Sequence, residues 1–324
     1  MENRKITRLG REVSVVGLGC WQLGADWGDV DENDALAVLH AAADAGVTFF
    51  DTADVYGDGR SERLVGRFAA ARDVFVATKM GRRVEQVPEN YVRANFREWN
   101  DRSRRNLGVD TLDLVQLHCP PTPVYSADAV YDALDEMVSE GRIKAYGVSV
   151  ETCEEALTAL ARPNVASVQI ILNCLRLKPL ERVLPAAAEA GAGIIARVPL
   201  ASGLLSGRYT ASTTFAANDH RTFNRHGEAF DVGETFSGVP YEAGLAAVER
   251  LRGLVPAERT LAQFALRWII DQPGVSTVIP GARNALQATA NTAAAALPPL
   301  SDEALAGVRE TYDELVRPLV HDRW

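Results

Sequence analysis

Four side chains of complementary chemistry stand just beyond apolar runs. In VTFFDTADVYGDGRSE (47–62) the run ends on Asp51, and Tyr56 follows in the same loop. VFVATK ends on Lys79, and LDLVQLH ends on His118. Alone, each has an ordinary reading: a turn cap for Asp51, a rim ion pair for Lys79, a satisfied core histidine for His118, packing for Tyr56. Their joint arrival at neighbouring run ends points to chemistry. A free phenol has a pKa of about 10 and is a poor proton donor near neutrality. A nearby ammonium favours the phenolate and lowers that value. A buried ammonium needs a counter-ion, which Asp51 supplies, and the His118 imidazole can orient a carbonyl oxygen. The set reads as a general acid aimed at a C=O group. No serine or cysteine nucleophile with a paired base is visible. The five histidines (His40, His118, His220, His226, His321) form no HxH or HExxH, so no metal is expected. A hydride from a bound cofactor fits the attacking role.

These residues need elements that bring them to one rim. KITRLGREVSV reads as a short hairpin turning at Gly10 and Arg11. Eight apolar runs follow as strands: VVGLGCW, VTFFD, VFVATK, LDLVQLH, AYGVS, SVQIIL, GIIARV and VSTVI. Helical periods lie between them, among them one long helix from Pro88 to Leu107, one from Ser126 to Glu140, and LERVLPAAAEAG, which Pro185 is expected to kink. Further helices are expected near 242–252, 259–271, 284–291 and 302–316. Short continuous apolar strands suit a parallel sheet buried on both faces. Eight βα alternations predict an α/β fold, a (β/α)8 TIM barrel with an N-terminal β-hairpin and extra helices. The rival is a doubly wound sheet, but no helix starts inside GLGCWQLG (17–24). In a barrel the active site lies at the strands' C-terminal ends, where the four residues stand. The polar stretch at about 206–240 has no clear period and is expected to be a functional loop closing over the substrate.

The chain has 324 residues, of which 47% are hydrophobic, and reads as one barrel domain over 1–324. The net charge of −9 has no basic cluster to offset it, which argues against nucleic acid as a partner. No apolar run is long enough for a membrane span, and the opening MENRKITRLG lacks the apolar core of a signal peptide. Cys20, Cys119, Cys153 and Cys174 form no CxxC and are expected as free thiols in a cytoplasmic protein. Only four of 34 cationic side chains are lysine (Lys5, Lys79, Lys144, Lys178). A lysine at a special place is there because arginine does not serve.

Beyond these arguments, the chain resembles the aldo-keto reductase family over nearly its full length. The resemblance rests on GLGCW (17–21), DTADVYGDGRSE (51–62), ATKMG (77–81), LDLVQLH (112–118), YGVSV (146–150), VPLASGLLSGRY (198–209) and VIPGARNALQATAN (278–291). It implies the same barrel, NADPH held without a Rossmann motif, and reduction of an aldehyde or ketone to the alcohol. The family's catalytic tetrad falls on Asp51, Tyr56, Lys79 and His118. Ser149 and Gln169 match the residues that hold the nicotinamide carboxamide, although Val150 replaces the usual Asn. Pro199, Leu200, Ser202, Gly203 and Leu205 match the loop around the pyrophosphate. Gly281 and Arg283 match the segment near the adenosine 2′-phosphate, and Gln287 and Asn291 the adenosine contacts. Ala290 stands where a Glu often helps hold adenine.

Three expectations remain open from sequence. Trp21, Trp27 and Cys119 are candidate walls of the substrate pocket. Arg197 stands where an aromatic ring often stacks on the nicotinamide; it turns to solvent, pairs with a loop carboxylate such as Asp219 or Glu228, or lays its guanidinium over the ring. The alternatives for function are an NADPH-binding regulatory subunit with little turnover and a Schiff-base aldolase using Lys79. Neither the carbonyl substrate, with keto-sugars among the candidates, nor the oligomeric state is legible.

Overall fold

The computed structural model describes residues 1–24 and 30–324. β1 (Asn3–Ile6) and β2 (Arg11–Ser14) pair antiparallel, turning through Gly10 at φ 62°. Ile6 and Val13 share one apolar cluster with Phe49, Phe75, Ala77, Leu114, Ile195 and Ile279, so the hairpin packs against barrel residues.

Eight parallel strands follow in sequence order: β3 (Leu18–Gly19), β4 (Phe49–Asp51), β5 (Phe75–Met80), β6 (Leu112–His118), β7 (Ile143–Ser149), β8 (Val165–Ile171), β9 (Gly193–Arg197) and β10 (Val275–Val278). Parallel bridges from Val16 to Val278 and from Gly19 to Gly281 bring the first and last strands together, giving the nearly closed barrel expected. The first strand is much shorter than VVGLGCW suggested. The seam explains the two glycines: a Cβ on Gly17 would lie 2.9 Å from Phe49 O, and one on Gly19 would lie 2.9 Å from Ile279 O. Every residue of β8 is buried, consistent with helices covering the sheet.

Those helices are α1 (Glu32–Asp44), α2 (Arg60–Ala69), α3 (Arg93–Leu107), α4 (Asp128–Ser139), α5 (Cys153–Leu160) and α6 (Pro179–Ala190). Two boundaries differ from expectation. The segment from Pro88 to Leu107 is not one helix: a 3-10 turn (Pro88–Asn90) ends at Tyr91, whose buried ring faces inward and whose hydroxyl donates to Gly81 O at 3.3 Å. A second 3-10 turn covers Thr122–Ser126, so α4 begins only at Asp128. α6 continues through Pro185. The 206–240 stretch holds α7 (His220–Phe223) and two 3-10 turns, Val232–Glu234 and Phe236–Gly238. α8 (Tyr241–Arg252), α9 (Leu261–Ile270), α10 (Ala285–Thr292), α11 (Asp302–Leu315) and α12 (Arg317–Val320) complete the chain.

Candidate active site

Strand register assembles the chemistry. Asp51 is paired with Ala77, Lys79 with Gln116, His118 with Ser149, and Ser149 with Gln169. One polar layer therefore crosses β4 to β8 at their C-terminal ends. Lys79 is 1% exposed and ion-pairs with Asp51. Its Nζ also donates to Thr52 O at 3.0 Å and lies 3.4 Å from the Tyr56 hydroxyl. The other Asp51 oxygen accepts from Gln169 Nε2 at 2.8 Å and Gln116 Nε2 at 3.2 Å. This is why an apolar strand ends on a carboxylate: Asp51 balances a buried ammonium that reaches the phenol.

The electrostatics partly reverse the expectation for Tyr56. Burial raises its pKa to about 12; Lys79 pulls it down as expected, but is outweighed, and Asp51 adds to the rise. The phenol thus carries its proton throughout the neutral range. Burial also lowers the Lys79 pKa, yet Asp51 and Tyr56 outweigh it and the net shift is upward. His118 is pushed well below the ordinary histidine range by burial and by the charges of Arg82, Lys79 and Arg197, so its ring is neutral. Its Nδ1 is buried without a hydrogen-bond partner among the described residues, and its ring lies 5.9 Å from the Tyr56 ring.

A cavity of about 620 Å³ opens from this layer. Asp51, Tyr56, Trp21 and Gln169 line its inner end. Trp21 lies nearly parallel to the Tyr56 ring, 6.0 Å away, and touches His220 and Phe230 of the 206–240 stretch. Trp27 lies outside the described residues. Cys119 sits behind His118, with its thiol 3.4 Å from Ser149 Oγ, and is not among the cavity-lining residues. Ser149 is likewise buried behind the wall.

Pro199, Leu200, Ser202 and Gly203 line the middle of the cavity, whereas Leu205 is buried in the core behind them. This loop takes left-handed backbone at Val198 (φ 51°), Ala201 (46°), Ser202 (54°) and Gly203 (94°). Such strain persists only where the surroundings enforce it. Asn173 Nδ2 grips Val198 O at 2.9 Å, and Ser202 Oγ donates to Glu234 O at 2.8 Å. At the outer end, Gly281, Arg283, Gln287, Ala290 and Asn291 line the cavity. Asn284 caps α10, Gln287 Oε1 accepts from Arg283 N at 2.9 Å, and Asn291 Nδ2 donates to Gly281 O at 3.1 Å.

Arg197 does not turn to solvent. It is 7% exposed, bonds Glu151 at 2.8 Å and Val150 O at 3.1 Å, and lies 3.5 Å from Glu234, while still lining the cavity. The loop carboxylates named from sequence are engaged elsewhere: Asp219 with Arg221 at 2.5 Å, Glu228 with the His226 amide at 2.8 Å. Arg82 meets Glu151 at 3.4 Å and Glu234 at 3.2 Å, closing a ring of alternating charges. Cys119, Glu151 and Glu234 bring ligand-type atoms within 4.8 Å of one another, but two guanidiniums already neutralise the carboxylates. Gln116 could have been found from sequence, because it alternates with His118 on one strand face. Glu151 follows YGVSV directly. Glu234 lies in the aperiodic stretch and carried no signal.

Asp54, two residues before Tyr56, is buried with neither carboxylate oxygen bonded among the described residues. Burial and the nearby Glu62 raise its pKa to about 7, against the weaker opposite pull of Arg83 and Arg102. An acid whose folded pKa is raised contributes stability while protonated, below its unfolded value near 3.8, and loses it as pH climbs through about 7. That displacement corresponds to at most about 4 kcal/mol. Asp54→Asn is therefore expected to gain thermal stability relative to the parent between pH 5 and pH 8. Melting curves of both proteins across that range check it; parallel pH dependences would remove Asp54 as the source.

A parallel eight-stranded barrel with a lysine-linked carboxylate and phenol at its C-terminal mouth defines a class of acid–base site. The comparisons make the assignment specific. The profile of the Aldo/keto reductase family matches residues 15–313, and the chain belongs to that family. It is 31% identical over 292 residues to aldo-keto reductase YhdN of Bacillus subtilis, covering 87% of this chain and 85% of that protein. It is 32% identical over 330 residues to aldo-keto reductase str7 of Strobilurus tenacellus, covering 97% and 93%. Among solved structures it resembles the glycerol dehydrogenase AKR11B4 from Gluconobacter oxydans (TM-score 0.80, 30% identity, covering 97% of this chain and 96% of that one). It also resembles the holo form of aldo-keto reductase AKR11C1 from Bacillus halodurans (TM-score 0.78, 28% identity, 96% of each chain). Membership carries the oxidoreductase class and the NADP(H) cofactor expected from sequence.

The cavity suits that cofactor. It runs from Tyr56, Asp51 and Trp21 past a backbone-lined loop to Gly281 and Arg283 at the N-terminus of α10, with the exposed Arg208 also in its lining; His118 is not among the lining residues. Helix N-termini and arginines are matched to phosphate oxygens.

Proposed function

We propose that the protein reduces a small aldehyde or ketone with NADPH, Tyr56 giving the proton to the carbonyl oxygen. The observation that carries this is the Tyr56 hydroxyl, 3.4 Å from the buried Lys79 ammonium at a cavity wall. When bound, the nicotinamide supplies the hydride. Gln169 and the loop from Pro199 to Gly203 orient it, and Arg283, Gln287 and Asn291 hold the adenosine end. His118, neutral, aligns the substrate oxygen; Tyr56 donates its proton; Lys79 stabilises the phenolate that forms; Asp51 keeps Lys79 charged. Trp21 covers the reacting centre from water. Four buried free cysteines are consistent with a cytoplasmic setting, and no helix among the described residues is long and apolar enough to cross a membrane. A Schiff-base role for Lys79 is disfavoured, because the upward shift of its pKa keeps it protonated.

The test is NADPH oxidation against a panel of carbonyls, run in parallel with NADH. If none of the carbonyls drives NADPH consumption, a regulatory NADPH-binding role stands in its place. A second expectation concerns cofactor choice. NADPH is preferred, and Arg283→Ala erodes the preference about tenfold or more, the scale of a charged hydrogen bond. Kd values for both cofactors in both proteins measure it, and equal affinities in the parent would remove Arg283 as a phosphate contact.

A further inference from the structure

The loop with left-handed backbone at Val198, Ala201, Ser202 and Gly203 lines the cavity, yet what holds it lies outside. Ser202 Oγ donates to Glu234 O at 2.8 Å and accepts the Phe236 amide at 3.2 Å. Asn173 Nδ2 donates to Val198 O at 2.9 Å and to Ser237 Oγ at 2.8 Å. The turns at 232–238 therefore grip the loop through two side chains. They carry strain of their own, with φ 54° at Phe236 and 58° at Ser237. Two strained segments that are bonded to each other need a third body to fix both.

That body is Arg176 beneath Trp324. Arg176 is fully buried; its Nη2 donates to Glu151 O, and its amide donates to Asn173 O at 2.8 Å. Its Nε and Nη1 have no hydrogen-bond partner among the described residues. The buried Trp324 indole lies over the guanidinium, 3.9 Å from it. A π-face attracts a desolvated cation, and an indole does so best. The stack also fills the space against the turns. A Cβ on Gly233 would lie 3.1 Å from the indole, and one on Gly238 would lie 2.6 Å from it. Neither Arg176 nor Trp324 is among the residues that line the cavity. The segment bearing Trp324 is pinned in turn by the buried Val320 and by Tyr312, whose hydroxyl lies 2.8 Å from His321 Nδ1.

We propose that Trp324 and Arg176 are positioning residues for the nucleotide: their stack presses the 232–238 turns onto Ser202 and Asn173 and so keeps the 198–203 loop in its binding conformation; this rests on NADPH occupying the cavity. Without the indole the turns gain room, and the left-handed loop relaxes toward ordinary backbone. Binding must then select the strained form from a mixture. Apparent affinity falls with the competent fraction, so a loop competent about one-tenth of the time binds about tenfold more weakly. Proton transfer is spared. Asp51 and Lys79 stand on β4 and β5, whereas Arg176 follows β8, three strands further round the barrel.

The test titrates NADPH by calorimetry into the parent, Trp324→Leu and Trp324→Phe, well below each unfolding midpoint. There a loss of global stability alone leaves Kd unchanged. Trp324→Leu is expected to weaken NADPH about tenfold, with KM for NADPH rising in step and no fall in kcat at saturating cofactor. Trp324→Phe keeps a flat ring over the guanidinium and is expected to stay within about threefold of the parent. Gly233→Ala serves if Trp324→Leu does not fold: its methyl meets Arg176 and Trp324 from the side of the turns and is expected to weaken NADPH comparably. Parent-like affinity in Trp324→Leu, or in Gly233→Ala where it stands in, overturns the proposal and leaves the reductase reading intact. Equal weakening by leucine and phenylalanine overturns it too, because the stack on Arg176 then contributes nothing. So does a fall in kcat with Kd unchanged. A parent that binds no NADPH overturns the cofactor reading itself.

Discussion

Tyr56→Phe is expected to lower kcat by about 10²–10⁴-fold, the range of general acid catalysis, while leaving cofactor affinity nearly unchanged. The variant removes one oxygen. The ring remains to pack against Trp21, 6.0 Å away, so the cavity keeps its shape. What disappears is, among the described residues, the one hydroxyl beside Lys79 Nζ that can pass a proton to a substrate oxygen and have its anion stabilised there. Lys79 is not among the residues that line the cavity and reaches it only through Asp51 and Tyr56, so it is not placed to substitute. The measurement is steady-state kinetics on any carbonyl the parent reduces, with a fluorescence titration of NADPH alongside. A variant within threefold of the parent in kcat would mean that another group supplies the proton. The high pKa of Tyr56, about 12, adds a condition. In the neutral range no fall of activity with rising pH should reflect loss of the phenolic proton.

That Asp51, Lys79 and His118 gather at one rim was legible because strand ends are legible. Asp51, Lys79 and His118 each close an apolar run, and the parallel register of β4 to β6 then places them side by side without any further information. The glycines of GLGCW were visible, but their reason was not. Gly17 answers to the carbonyl of Phe49 on the neighbouring β4, and Gly19 to that of Ile279, 260 residues away in sequence, at a seam that only closure creates. The same limit hid the partners of Arg197. Glu151 stood next to a recognised motif, whereas Glu234 lies in a stretch whose backbone is set by Ser202, Asn173, Arg176 and Trp324, all distant in sequence. Periodicity reports what a residue faces within its own element. It says nothing of a loop whose conformation is imposed from outside. The direction of the Tyr56 shift was missed for a related reason. The charge beside it was readable, but its burial was not.

Arg197→Tyr, which restores the aromatic residue often found at this position, is expected to be strongly destabilising. The guanidinium is buried between Glu151 and Glu234, at 2.8 and 3.5 Å, and also holds Val150 O at 3.1 Å. Removing one partner of a buried ion pair costs about 3–5 kcal/mol, because the remaining charge is left uncompensated. Here two carboxylates would share Arg82 alone. The direction with pH follows. In the parent, burial raises the Glu234 pKa but Arg197 and Arg82 outweigh it and hold it low. Burial already holds Glu151 up at about 7 in the parent; without Arg197 the Glu234 pKa rises as well and that of Glu151 rises further, so the variant is most stable when they are protonated and loses more stability than the parent as pH climbs. The gap between parent and variant should therefore be wide at pH 8 and narrow toward pH 5. Denaturant unfolding at both pH values measures it, and adding Glu151→Gln to Arg197→Tyr should recover part of the loss. The resemblance that places Arg197 beside the nicotinamide gives the same ring a second consequence. A lone guanidinium over it would repel the cationic NADP⁺ and spare neutral NADPH, but one balanced by two carboxylates exerts little net field. The NADP⁺/NADPH affinity ratio is accordingly expected to change less than about threefold in Arg197→Tyr, well short of the tenfold that about 1.4 kcal/mol would give. A stable variant that binds NADP⁺ tenfold tighter would show instead that Arg197 acts on the cofactor as an unpaired cation.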